Sequence, residues 1–175
     1  MTTCVPPTQA ECWNYDPNPY VFFGYLGITA ALVFGNLGAA YGTARSGIAI
    51  CEVSSKRIDL MFKSIIPVVM AGILGIYGLI VAVLFNTDIK VTSEEQWMAG
   101  NNNYSKAKGY KQMAGGLCCG LSSLASGLAI GVIGENAVKG NMYRDLVVGM
   151  ILMLIFAEAL GLFGFIIAIV INLGS

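Results

Sequence analysis

The chain contains no histidine, and only 11% of its 175 residues are charged. The missing imidazole removes the side chain most used for acid–base chemistry near neutral pH, and a common zinc ligand with it. Neither cysteines nor carboxylates cluster at metal-ligand spacing, so no metal or other cofactor is expected. The basic and acidic residues cancel to a net charge of zero, which leaves no basic surplus for binding nucleic acid. The first basic residue is Arg45, and residues 1–20 have neither a basic n-region nor an apolar h-region, so no cleavable leader is expected. The GxxxxGK[ST] loop that cradles nucleotide phosphates is missing as well.

What the chain has is apolar length. Hydrophobic residues make up 56% of it and the mean hydropathy is +0.71, where soluble domains average roughly 25% charged residues. Four segments, near 20–50, 58–86, 109–138 and 145–173, are long enough to cross a bilayer, which takes ~20 apolar residues. The connections near 51–57 and 139–144 are short, so each flanking pair reads as a helical hairpin. The expectation is an all-α membrane protein of four transmembrane helices in two tandem hairpins. Its parts are a tail at 1–19, a first hairpin at 20–86, a polar loop at 87–108 and a second hairpin at 109–173.

The hairpins are copies of one another. A shift of 86 residues aligns AGILGIYGLIVAVLFN (71–86) with AEALGLFGFIIAIVIN (157–172), with seven of sixteen positions identical. A shift of 87 aligns the preceding helices more weakly, pairing Leu37 with Leu124 and Gly47 with Gly134. Such a period marks one supersecondary unit duplicated in tandem. The copies differ at one decisive place, where Glu158 stands opposite Gly72.

Glu158 is the one ionisable side chain in the run from Leu146 to Leu173. A carboxylate at the centre of a bilayer costs at least ~2.5 kcal/mol, so its presence points to an ion or proton pathway. The bland reading is a structural carboxyl that clamps helices together. Tyr77 is a phenol at comparable depth on the neighbouring outer helix, and its hydroxyl needs a partner in apolar surroundings, for which Glu158 is the candidate. Pro67 should kink the second span or start a helix there. Small residues recur every fourth position in the first and third spans, as Gly38, Gly42 and Ser46, and as Ser123, Gly127 and Gly131. In lipid, association relies on close backbone approach across such stripes. These two helices are therefore expected to form a crowded inner layer, and Gly38, Gly42, Gly127 and Gly131 are the expected packing residues of an assembled ring.

LGAAYGTARSGIAI (37–50), IIPVVMAGILGIYGLIVAV (65–83), SGLAIGVIGENAVKG (126–140) and LVVGMILMLIFAEALGLFGFIIAIVIN (146–172) together resemble the proteolipid c subunits of V-type proton ATPases. The resemblance runs from Phe22 to Asn172, and IFAEALGL with its lone glutamate is its most specific part. It implies a ring of identical or homologous c-type subunits in the lipid bilayer, not catalytic alone, turning against a static membrane subunit that supplies an arginine. Glu158 would be the proton-binding residue, with ATP hydrolysed elsewhere in the complex. Both termini and the loop at 87–108 would face the lumen, and the short loops would meet central stalk subunits in the cytosol. The compartment would be a vacuole or another acidic endomembrane organelle. Six Lys or Arg in 45–63 and 135–145 against four on the other side give a mild bias of the same sense.

A sodium-carrying ring shares this architecture but needs several oxygen ligands. From Met113 to Ile133 the chain has no Asn, Gln, Asp or Glu, only Ser122, Ser123 and Ser126, which favours protons. A structural four-span protein is the remaining alternative. Cys118-Cys119-Gly120 matches a tetraspanin signature, but the connection after it is too short for the large extracellular domain that class needs. Cys4 and Cys12 could pair in an oxidising lumen, and Asn103-Tyr104-Ser105 fits a glycosylation sequon.

Overall fold

A computed structural model describes residues 19–56, 61–89, 106–141 and 147–174. Cys4, Cys12, the Asn103 sequon, most of the tail and most of the polar loop lie outside the described residues. Those described form helices α1 (Pro19–Ser54), α2 (Met61–Ser64), α3 (Ile66–Asp88), α4 (Lys106–Asn141) and α5 (Val147–Leu173), with no strand among them. α2 and α3 together make the second span, so four helical stretches are long and apolar enough to cross a membrane.

The break between α2 and α3 follows from Pro67. Proline has no N–H to donate to the preceding turn, and its ring crowds the carbonyl four residues back. The chain responds at Ile65, whose carbonyl accepts from both Val68 N (3.0 Å) and Val69 N (3.2 Å). Pro67 is fully buried and takes up the room opposite Gly134 of α4, where an added Cβ would come within 2.9 Å of the proline Cβ.

α1 packs most extensively on α4, and each is flanked by its own hairpin partner, α3 for α1 and α5 for α4. The inner pair is parallel and its backbones touch. A Cβ on Gly38 would lie 2.9 Å from Leu124 Cα, and one on Gly127 would collide with the Gly38 carbonyl. Glycine is required here because two helices this close leave no room for any side chain. The same α1–α4 seam holds Gly27 against Gln112 and Gly42 against Gly127.

The duplication is visible in the contacts. Gly75 packs on Ala39 in the first hairpin as Gly161 packs on Ser126 in the second, and Gly78 meets Gly35 as Gly164 meets Ser122. Inner helices are related by 87 residues and outer helices by 86, as the sequence shifts require.

α1 and α4 are each 36 residues long, which at 1.5 Å per residue is about 54 Å of helix. The hydrocarbon core is ~30 Å thick, so both project beyond it. Near the short-connection end, Arg45 pairs with Glu135 at 3.2 Å, and Lys139 bridges Glu52 at 3.2 Å and Glu135 at 3.1 Å. The Arg45–Glu135 and Lys139–Glu52 pairs tie α1 to α4 but are screened by water and salt. At the other end, Asn172 Nδ2 donates to Asp88 at 2.6 Å and joins the outer helices.

Candidate functional site

Two apolar clusters fill the interior. One centres on Leu74, Ile130, Met150 and Leu154, the other on Val81, Phe85 and Cys119. Tyr77 packs against both and so occupies the seam between them. Its ring stacks on Phe165 of α5, with centroids 5.2 Å apart and planes at 27°. That stack aims the phenol along α5 toward its middle. The hydroxyl donates to Glu158 Oε1 at 3.2 Å.

Glu158 is half-buried, one residue along from the buried Ala157. The Ala157 carbonyl accepts from Ser126 Oγ of α4 at 2.6 Å, which fixes this turn of α5 against the inner layer. Leu74 fills the space beside Gly161, where an added Cβ would meet it at 2.7 Å. The glutamate is thus held by α3 through Tyr77 and by α4 through its neighbour. Its surroundings on α5 are apolar and outward-facing, with Ile155 49% and Phe156 67% exposed. A carboxyl so placed can exchange a proton with a group approaching from the outer face, and otherwise sits among hydrocarbon side chains.

The structure brings Tyr77 and Glu158 together. Gly38, Gly42, Gly127 and Gly131 are gathered instead at the α1–α4 seam inside one chain, away from the carboxyl. Ser126 and Phe165 also belong to the site, and neither hydropathy nor motif singles them out. Cys119 is buried, Cys118 half-buried and Cys51 exposed, all as free thiols. No group of His, Cys, Asp or Glu among the described residues could hold a metal ion.

Four apolar helices in two matching hairpins, with one carboxyl held between the outer pair, define a multi-pass membrane protein made by tandem duplication. The sequence model of the ATP synthase C subunit family matches the chain twice, over residues 26–85 and 113–171, once per hairpin. A 16 kDa proteolipid c subunit of the V-type proton ATPase of Caenorhabditis elegans is 48% identical over 164 residues, covering 93% of this chain and 94% of the relative. The V-type proton ATPase 16 kDa proteolipid subunit of Chrysotila carterae is 49% identical over 152 residues, 86% of this chain and 90% of the relative. The V-type proton ATPase c subunit of Candida tropicalis is 49% identical over 162 residues, 92% of each. The chain belongs to this family, in its V-type proton ATPase proteolipid branch, and is a non-catalytic membrane subunit.

Proposed function

We propose that this chain is a ring subunit of the membrane sector of a rotary V-type ATPase and carries one proton at a time on Glu158. The observation that carries the reading is a single carboxyl at mid-span, hydrogen-bonded to Tyr77 and bordered by outward-facing apolar side chains. A carrier of this kind must be neutral while it faces lipid, because a charge there is costly. It gives up its proton beside a cation, which stabilises the carboxylate. In the assembled pump that cation is an arginine of a static membrane subunit, absent from this chain. ATP hydrolysis elsewhere turns the ring through stalk subunits that engage the short-connection ends of α1 and α4. The membrane is that of a vacuole or another acidic compartment.

Protons rather than sodium fit the ligands at the site. Tyr77 donates its hydroxyl to the carboxyl, and the Ser126 hydroxyl is engaged by the Ala157 carbonyl. From Met113 to Ile133, α4 brings no amide or second carboxyl to the site, so these two hydroxyls are the side-chain oxygens set beside Glu158, fewer than a sodium ion needs. ATP-driven acidification of vesicles containing the pump should run at an unchanged rate in sodium-free medium. A rate that collapses without sodium, and returns when it is added, would make this a sodium ring.

Tyr77→Phe keeps the stack on Phe165 and removes only the hydrogen bond. Such a bond contributes ~0.5–1.5 kcal/mol net, so pumping should slow by up to roughly tenfold, with the ring assembled. Pumping at the full wild-type rate would show that the phenol does nothing for the carrier.

A further inference from the structure

The two hairpin copies hold their outer helices in place by different means. On α3 the inward stripe includes Ala71, Leu74 and Gly78, and Leu74 is fully buried. A branched side chain seated between neighbouring helices resists rotation of its own helix. The matching stripe of α5 is Ala157, Gly161 and Gly164, and Leu160, the counterpart of Leu74, is 53% exposed. From Ala157 to Gly164, α5 thus buries only small residues. Such packing is close but smooth, and a rotation of α5 about its axis would carry the carboxyl away from Tyr77 with little steric penalty.

A directional bond stands where that knob is missing. Ser126 is fully buried on α4, and its hydroxyl donates to the Ala157 carbonyl at 2.6 Å. In an α-helix that oxygen also accepts from the amide four residues on, here Gly161, and a carbonyl has lone pairs for both. Gly161 leaves room for the approach, since an added Cβ there would lie 3.3 Å from Ser126 Cβ and 3.4 Å from its Oγ. The bonded carbonyl belongs to the peptide that joins Ala157 to Glu158. In the first copy the equivalent place is apolar. Ala39 stands for Ser126, its Cβ 3.5 Å from a Cβ added to Gly75, and Gly72 stands for Glu158. The hydroxyl occurs in the copy that has the carboxyl.

We propose that Ser126 is a positioning residue for the proton carrier. By pinning the Ala157–Glu158 peptide to α4 it sets the rotation of α5, so that the carboxyl meets the Tyr77 hydroxyl and the side chain alone moves during exchange. The inference rests on the carrier reading above and adds a residue to it. Ser126 makes no contact with the carried proton, because its own hydroxyl proton is committed to the Ala157 carbonyl. Its effect reaches the carboxyl through the backbone.

The C=O stretching band of the Glu158 carboxyl is isolated as the infrared difference between wild-type and Glu158→Gln rings. Ser126→Ala rings should be recovered in full, because a smaller apolar side chain fits the buried site. Pumping should slow by roughly three- to tenfold, the range that one net hydrogen bond spans. The band should move in the same direction as in Tyr77→Phe, although Ser126 does not touch the carboxyl. Ser46→Ala is the control, since Ser46 Oγ is equally buried and has no hydrogen-bond partner among the described residues. Its rate and band should stay at wild type, and equal changes there would ascribe the effect to any buried serine and overturn the proposal. A wild-type rate in Ser126→Ala, or a slower rate with the band unmoved, overturns the positioning role. Either result leaves the carrier reading standing, which Glu158→Gln tests by itself. Should Ser126→Ala yield no ring, Ser126→Cys takes its place. A thiol is similar in shape but a weak donor, so rate and band should change in the same sense, and a wild-type value for either would overturn the proposal.

Discussion

Vesicles whose pump contains only Glu158→Gln subunits should show no ATP-driven acidification, with the ring recovered at the wild-type level. Glutamine keeps the length of the side chain, and its carbonyl oxygen can accept the Tyr77 hydroxyl as Glu158 Oε1 does at 3.2 Å. The Ser126 bond to the Ala157 carbonyl involves backbone on α5 and is untouched. Packing is thus preserved, and what is lost is the one group that can bind and release a proton near neutral pH. A carboxyl that only clamped α5 to α3 would be replaced by glutamine with little effect on transport, so the variant separates the two roles. Hydrophobic carbodiimides give a second readout, because they react with protonated carboxyls in apolar surroundings. They should modify the wild-type protein at this position and spare the variant. Acidification near the wild-type rate by pure Glu158→Gln rings would falsify the carrier assignment.

Gly127→Leu should cost the fold itself. Any Cβ at this position runs into the backbone of Gly38, and neither helix can yield without separating along the whole seam. Overpacking in a close-packed interior typically costs ~1–3 kcal/mol when side chains can shift; here the obstacle is backbone, so the upper end or beyond is expected. The measurement is the yield of detergent-stable oligomer, with the thermal midpoint of the purified protein beside it. Gly72→Leu serves as the comparison, since Gly72 has nothing near its missing side chain in the single chain. Its monomer should fold normally. Equal yields of Gly127→Leu and wild type would mean that the α1–α4 approach is not required for a stable protein.

Much of this architecture is legible in the sequence because lipid is a strict solvent. It demands long apolar helices, and the chain spells out four. The helix ends are less legible. Hydropathy puts the first span near 20–50, and the helix runs from Pro19 to Ser54; it puts the third near 109–138, and the helix runs from Lys106 to Asn141. Outside the membrane, helix continuation is decided by partners such as Arg45–Glu135 and Lys139–Glu52, which no hydropathy pattern reveals. The pairing of Tyr77 with Glu158 follows from shared depth on adjacent helices. The role of Ser126 does not, because a serine in a membrane helix usually bonds within its own helix. A usable signal is nonetheless present. The two copies can be compared for places where one is polar and the other is not, among them Glu158 against Gly72, Tyr77 against Phe163 and Ser126 against Ala39. These three differences come together at one point between α3, α4 and α5. The residues of the proposed site are thus among the places where the halves of this duplicated fold disagree.

On the carrier reading proposed above, Gly72, the silent half of that disagreement, would act as a gear. A ring built from four-helix units with one carboxyl each holds half as many proton seats as a ring of the same helix count with a carboxyl in every hairpin. For a fixed number of ATP molecules per revolution, each proton then receives twice the free energy. Fewer protons cross per turn, but each can be driven up a gradient twice as steep. On the same reading, placing a carboxyl at position 72 would shift the machine toward throughput and away from the strong acidification that a low gear permits.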